Sequence, residues 1–147
     1  MKVNLLIGGL LLVAPLSMTM VGCMGGGGVA PDSEEPNIIV SEFALSPSTP
    51  VRGRPVEVRV GVYNDGTVPA GPYRVEWYPG ENYSDPACSW NVSGNNPGGG
   101  RILNCTFSGY PSRYASLRTK VIVDTGNNVA ESNESDNTRS MEIRVVE

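Results

Sequence analysis

From Val56 to Val62 every second residue is valine, with Glu57, Arg59 and Gly61 between. Successive side chains of an extended strand point to opposite faces, so this pattern buries one face and wets the other. A helix would need its apolar positions every three or four residues. The same period returns three times further on. Tyr73, Val75 and Trp77 alternate with Arg74, Glu76 and Tyr78; Leu117, Thr119, Val121 and Val123 with Arg118, Lys120 and Ile122; Met141, Ile143 and Val145 with Glu142, Arg144 and Val146. Turn-forming clusters separate the runs, at residues 47–50, 64–66, 79–80, 95–100 and 126–128. Adding residues 38–45, 87–92 and 101–107 predicts seven strands in about 110 residues, the count and spacing of a two-sheet sandwich. Half-buried alternation, in place of continuous apolar runs, makes the sheets antiparallel. The fold class is all-β.

The first part of the chain reads differently. Lys2 precedes a short apolar core, Leu5 to Val13, and Pro15, Ser17 and Thr19 interrupt the stretch after it. That run is too short and broken to favour a permanent span, so residues 1–22 read as a cleaved signal peptide. Its end, Met20-Val21-Gly22-Cys23, resembles a bacterial lipobox, with Met20 in place of the usual Leu. The resemblance implies a diacylglycerol thioether on Cys23 and cleavage before it; two or three acyl chains are what make such anchoring stable. The other reading is a plain secretory signal with an incidental cysteine. Residues 23–36, glycine-rich and then acidic, are expected to form a flexible tether, and residues 37–147 the domain.

The chain holds three cysteines. With Cys23 taken by lipid, Cys88 and Cys105 remain, each on the apolar side of its predicted strand. A disulfide between them would contribute about 3 kcal/mol by the loop-entropy argument, in a compartment where it persists. Two unpaired buried thiols are the alternative. Trp77 and Trp90 are expected inside.

The chain has 147 residues, room for one domain beside a targeting segment. It contains no histidine and carries a formal charge of −4. The first fact removes the commonest general base, the histidine-dependent triads and nearly every catalytic zinc site. The second makes nucleic acid a poor partner. No enzyme is expected.

Three segments together resemble the CARDB family, the cell-adhesion-related domain found in bacteria. They are Leu45-Ser-Pro-Ser-Thr-Pro-Val-Arg-Gly-Arg-Pro-Val56, Val62-Tyr-Asn-Asp-Gly-Thr-Val-Pro-Ala-Gly-Pro-Tyr73, and Val123-Asp-Thr-Gly-Asn-Asn-Val-Ala-Glu-Ser-Asn-Glu-Ser-Asp-Asn-Thr138. The last is the most specific. It is similar to an Asp-x-x-Asn-x-Val-x-Glu-x-x-Glu-x-Asn-Asn signature, with Asp136 where Asn is usual. Residues 87–100, bearing Cys88 and the glycines, depart from the family pattern. The resemblance implies a seven-stranded antiparallel immunoglobulin-like β-sandwich on the bacterial surface, with a role in adhesion or spacing.

Two features are candidate sites. Asp124, Glu131, Glu134 and Asp136, with Asn127, Asn128, Asn133 and Asn137, supply the hard oxygens that calcium prefers, though without EF-hand spacing. The alternative is a turn whose side chains bond their own backbone. Tyr78, Tyr83 and Tyr110 are candidates for an exposed aromatic patch that stacks on sugar or anchors a protein. The expected protein is a non-catalytic, lipid-anchored envelope lipoprotein that binds or spaces through an extracellular protein or glycan. A calcium-stabilised structural module and a carbohydrate-binding module are the rivals. No cofactor is expected beyond that calcium.

Overall fold

The computed structural model describes residues 34–147; the signal segment, Cys23 and most of the tether lie outside them. Seven strands form in order: β1 Ile38–Ser46, β2 Val56–Asn64, β3 Tyr73–Tyr78, β4 Cys88–Val92, β5 Gly100–Phe107, β6 Tyr114–Val123 and β7 Thr138–Val145. They make two antiparallel sheets, β1-β2-β5 and β4-β3-β6-β7, the immunoglobulin-like sandwich that the sequence predicts. Among the described residues there is no helix.

The valine ladder of β2 is the floor of the core. Val56, Val58, Val60 and Val62 are all at most 1% exposed. Val75, Trp77, Val121, Val123 and Val145 share this burial from the opposite sheet. Each such side chain contributes about 1.5–3 kcal/mol by leaving water. Trp77 adds a polar tie: its indole nitrogen donates to Thr119 Oγ1 at 2.8 Å, and that hydroxyl donates to the Tyr78 carbonyl at 2.7 Å.

β1 does not keep one parity. Ile38 and Val40 face inward, yet so does Leu45, because a bulge at Ser41 inserts one extra residue opposite β2. One added residue sends the rest of a strand to the other face. The bulge packs on Gly61, where a Cβ would stand 2.8 Å from Ser41 Oγ and 2.9 Å from Glu42 Cβ. Glycine at that place, on the outer face of β2 with Glu57 and Arg59, is therefore a packing requirement.

The two flanks of the sandwich are closed by different chemistry. On one, Cys88 of β4 and Cys105 of β5 form a disulfide between the sheets, with Cα atoms 6.5 Å apart. On the other, Arg139 of β7 donates to the carbonyls of Val40 and Ser41 at the bulge, at 3.2 and 3.1 Å. Trp90, expected inside, is only partly buried. β4 is an edge strand, and the indole nitrogen reaches the Asn104 carbonyl at 3.2 Å across the sheet gap. The structured body also begins earlier than residue 37. Thr67 N–H donates to the Glu35 carbonyl and Ser132 N–H to that of Pro36, so the last tether residues belong to the domain.

Candidate functional site

One end of the sandwich gathers most of the buried polar groups among the described residues. Here β1 begins, β2 ends, β4 passes to β5, and β6 passes to β7. Asn64, fully buried at the end of β2, joins these segments. Its Oδ1 accepts the amides of Asn37 (3.1 Å) and Gly66 (3.0 Å), while its Nδ2 donates to the carbonyls of Val68 (2.9 Å) and Asn95 (3.0 Å). Beside it lies an open polar hollow of about 460 Å³ lined by Ala70 and residues 93–96 and 99–101. Arg101 borders the hollow with its guanidinium already held by Asn95 Oδ1, Ser93 Oγ and the Gly94 carbonyl.

The acidic segment of the β6–β7 loop stands at the same end, and the structure separates its four carboxylates by task. Asp124 follows β6 with φ 45°, in the left-handed region where Asp is among the better tolerated residues. Its two oxygens accept the amides of Asn128 (3.0 Å) and Val129 (2.8 Å), which folds the turn and buries Val129 beneath it. Asp124→Ala leaves those amides without acceptors and is expected to cost about 1–2 kcal/mol. A urea midpoint matching that of the parent protein would show that this cap is dispensable.

Glu131 is 8% exposed. One of its oxygens accepts the Ile38 amide at the start of β1, and the other accepts Asn137 Nδ2 at 3.1 Å. Burial pushes its carboxyl above the usual carboxylate range; the charges of Glu134 and Asp124 push the same way, against the bonds from Ile38 and Asn137. Glu134 accepts the Glu131 amide at 3.1 Å and Asn137 Nδ2 at 3.2 Å. Asp136 Oδ2 accepts Asn133 Nδ2 (2.7 Å) and Asn37 Nδ2 (3.2 Å). None of the three ion pairs among the described residues involves any of these four acids. Nor do three acidic side chains there converge closely enough to hold a metal by themselves.

Several polar atoms here have no partner. Five buried side-chain oxygens among the described residues lack one, and three of the five are Asn37 Oδ1, Asp136 Oδ1 and Asn137 Oδ1. Buried acceptors are nearly always satisfied, so three orphans on one small cluster need a donor or a cation. Asn137 is part of the acidic signature and was legible as a candidate. Asn37 was not, because nothing in its local sequence shows that β1 starts against a loop about a hundred residues away, as its 3.2 Å bond to Asp136 places it.

The aromatic patch is not formed. Tyr110 is fully buried, its ring packed edge-on against Phe107 at 5.1 Å and its hydroxyl donating to the Pro79 carbonyl at 3.3 Å. Tyr83 is partly buried, edge-on to the same Phe107 at 6.5 Å. Tyr78 lies on the outer face of β3, bonded to Glu76 at 2.8 Å and covered by Lys120, whose ammonium is 5.1 Å from the ring centre. The three rings were expected together at the surface because all lie near loops. The core claimed Tyr110 instead, filling the open end between the sheets with Phe107, Tyr114 and Trp77.

The CARDB family model matches residues 35–141. Among curated proteins no sequence matches the chain. A crystal structure of a CARDB domain from Pyrococcus furiosus, in complex with di-metal ions, is similar at 25% identity and a TM-score of 0.64, over 77% of this chain and 90% of that one. A solution structure of a domain from a candidate cell-surface protein of Methanosarcina acetivorans matches at 19% identity and a TM-score of 0.62, over 77% of this chain and 94% of that one. At that identity the second likeness concerns the fold.

Proposed function

The chain belongs to the CARDB family, a non-enzymatic, cell-surface-associated group of domains, and from that premise we propose that it is a lipid-anchored spacer or adhesion module of the bacterial envelope. The observation that carries the reading is the way the chain enters the domain. Glu35, Pro36 and Asn37 are hydrogen-bonded between the β2–β3 and β6–β7 loops. A tether attached there meets the body at one end. That leaves both sheet faces and the opposite loops free to meet a protein or glycan. A lipid on Cys23 would hold such a body close to the membrane.

Labelling intact cells with a membrane-impermeant reagent tests this reading. The full chain should be labelled at the surface and partition with membranes, and Cys23→Ala should move it to the soluble fraction. Retention of the Cys23→Ala chain in membranes would remove the anchor, and a chain labelled only after lysis would remove the surface role.

A second reading, a calcium-stabilised module, has its own support. Unneutralised carboxylates lie beside orphaned amide oxygens, and a relative at 25% identity carries di-metal ions. The sugar-binding reading has lost the aromatic platform it required.

A further inference from the structure

We propose that Asn37, Glu131, Glu134, Asp136 and Asn137 together form a divalent-cation site, best suited to calcium, that fastens the segment preceding β1 to the β6–β7 loop. The assignment rests on the calcium reading and extends it by naming the ligands, one of which lies outside the acidic loop. Asn37 and Asn137 are each 9% exposed, and each places its amide against the cluster: Asn37 on Asp136, Asn137 between Glu131 and Glu134. In both, the nitrogen is used and the oxygen has no partner, as is true of Asp136 Oδ1. An amide serves such a cluster in either sense: its nitrogen holds carboxylates together without an ion, and its oxygen ligates when an ion is present.

The donor set suits calcium. Three carboxylates and two amide oxygens are hard ligands; the acids do not converge on one point by themselves, so the amide oxygens complete the set, and with bidentate carboxylates or water it reaches the six to eight oxygens calcium takes. Magnesium demands near-ideal octahedral geometry, which ligands spread over a loop and a strand start satisfy poorly. Charge points the same way, since no Lys or Arg among the described residues pairs with these acids. Asp124 is outside the set because it bonds neither Asn37 nor Asn137 and serves only the amides of its own turn. The Ile38 amide, bonded to Glu131, couples the site to the first residue of β1.

The test is calorimetric titration of the full chain, stripped with chelator, with calcium chloride and with magnesium chloride. Thermal melts and amide exchange at Ile38 accompany it. We expect saturable calcium binding, weaker magnesium binding, slower exchange at Ile38, and a melting temperature raised by roughly 10 °C at a hundredfold excess over Kd. Asn37→Ala and Asp136→Asn should each weaken calcium by about tenfold or more, with the strand spectrum unchanged in chelator. Asp124→Asn should bind as the parent does. Two variants at separate ligands keep the test decisive if one folds poorly. Calcium bound equally well by Asn37→Ala and Asp136→Asn would overturn this ligand assignment while leaving the calcium reading intact. No calcium heat and no thermal shift in the parent chain would overturn both.

Discussion

Trp77→Ala is expected to lose about 3–5 kcal/mol, a large share of the stability of a domain whose total is about 5–15 kcal/mol. Three contributions vanish together. The indole is fully buried at the centre of the four-stranded sheet, facing the valine ladder of β2. It meets Phe107 edge-on at 5.4 Å, and so links the sheets. Its nitrogen also occupies Thr119 Oγ1, a hydroxyl buried to 0% exposure that would keep only its bond to the Tyr78 carbonyl. Trp77→Phe separates the contributions. It keeps most of the volume and loses the hydrogen bond, so it should cost about 1–3 kcal/mol. Chemical denaturation followed by tyrosine fluorescence or circular dichroism reads both. A cooperative Trp77→Ala transition within 1 kcal/mol of the parent's would mean that this ring is not the keystone described (~1 kcal/mol is within the range of a typical substitution).

Removing the Cys88–Cys105 bond, by reduction or by Cys88→Ala with Cys105→Ala, is expected to lower stability by about 3 kcal/mol. The bond spans 17 residues, and the freed loop regains that much entropy in the unfolded chain. Its location adds a structural consequence. β4 and β5 are edge strands of different sheets, and the bond is their covalent tie on a flank that Arg139 does not reach. Hydrogen exchange in the reduced protein should therefore rise first along β4 and β5, while β6 and β7 remain protected until global unfolding. Uniform exchange across all seven strands would show that the bond acts through the unfolded chain alone.

β2, β3, β6 and β7 were legible because each carries its own signal: alternation needs no knowledge of partners. Cys88 and Cys105 were legible as a pair from parity and face. The acidic loop announced its oxygens, and Asp124 its turn. Other features depended on neighbours far away in sequence. The bulge at Ser41 is recognised only once Gly61 is seen beneath it. Tyr110 sits in a polar loop between Gly109 and Pro111, and its burial depends on a space that Phe107 and Trp77 leave open. Trp90 looked like core by composition and became edge cover by strand order.

The chain by itself determined that strands would form, where they would break, which faces would be apolar, and which residue types were present for chemistry. Those properties arise from backbone geometry and the expulsion of apolar surface from water, which act on short stretches. Tertiary structure alone decided that Asn37 would meet Asp136 and Asn137 at one end of the sandwich, and that their oxygens would be buried without partners. Such meetings depend on the register of β1 against β2 and on how the β6–β7 loop folds back over the start of β1, and no short stretch of sequence encodes either.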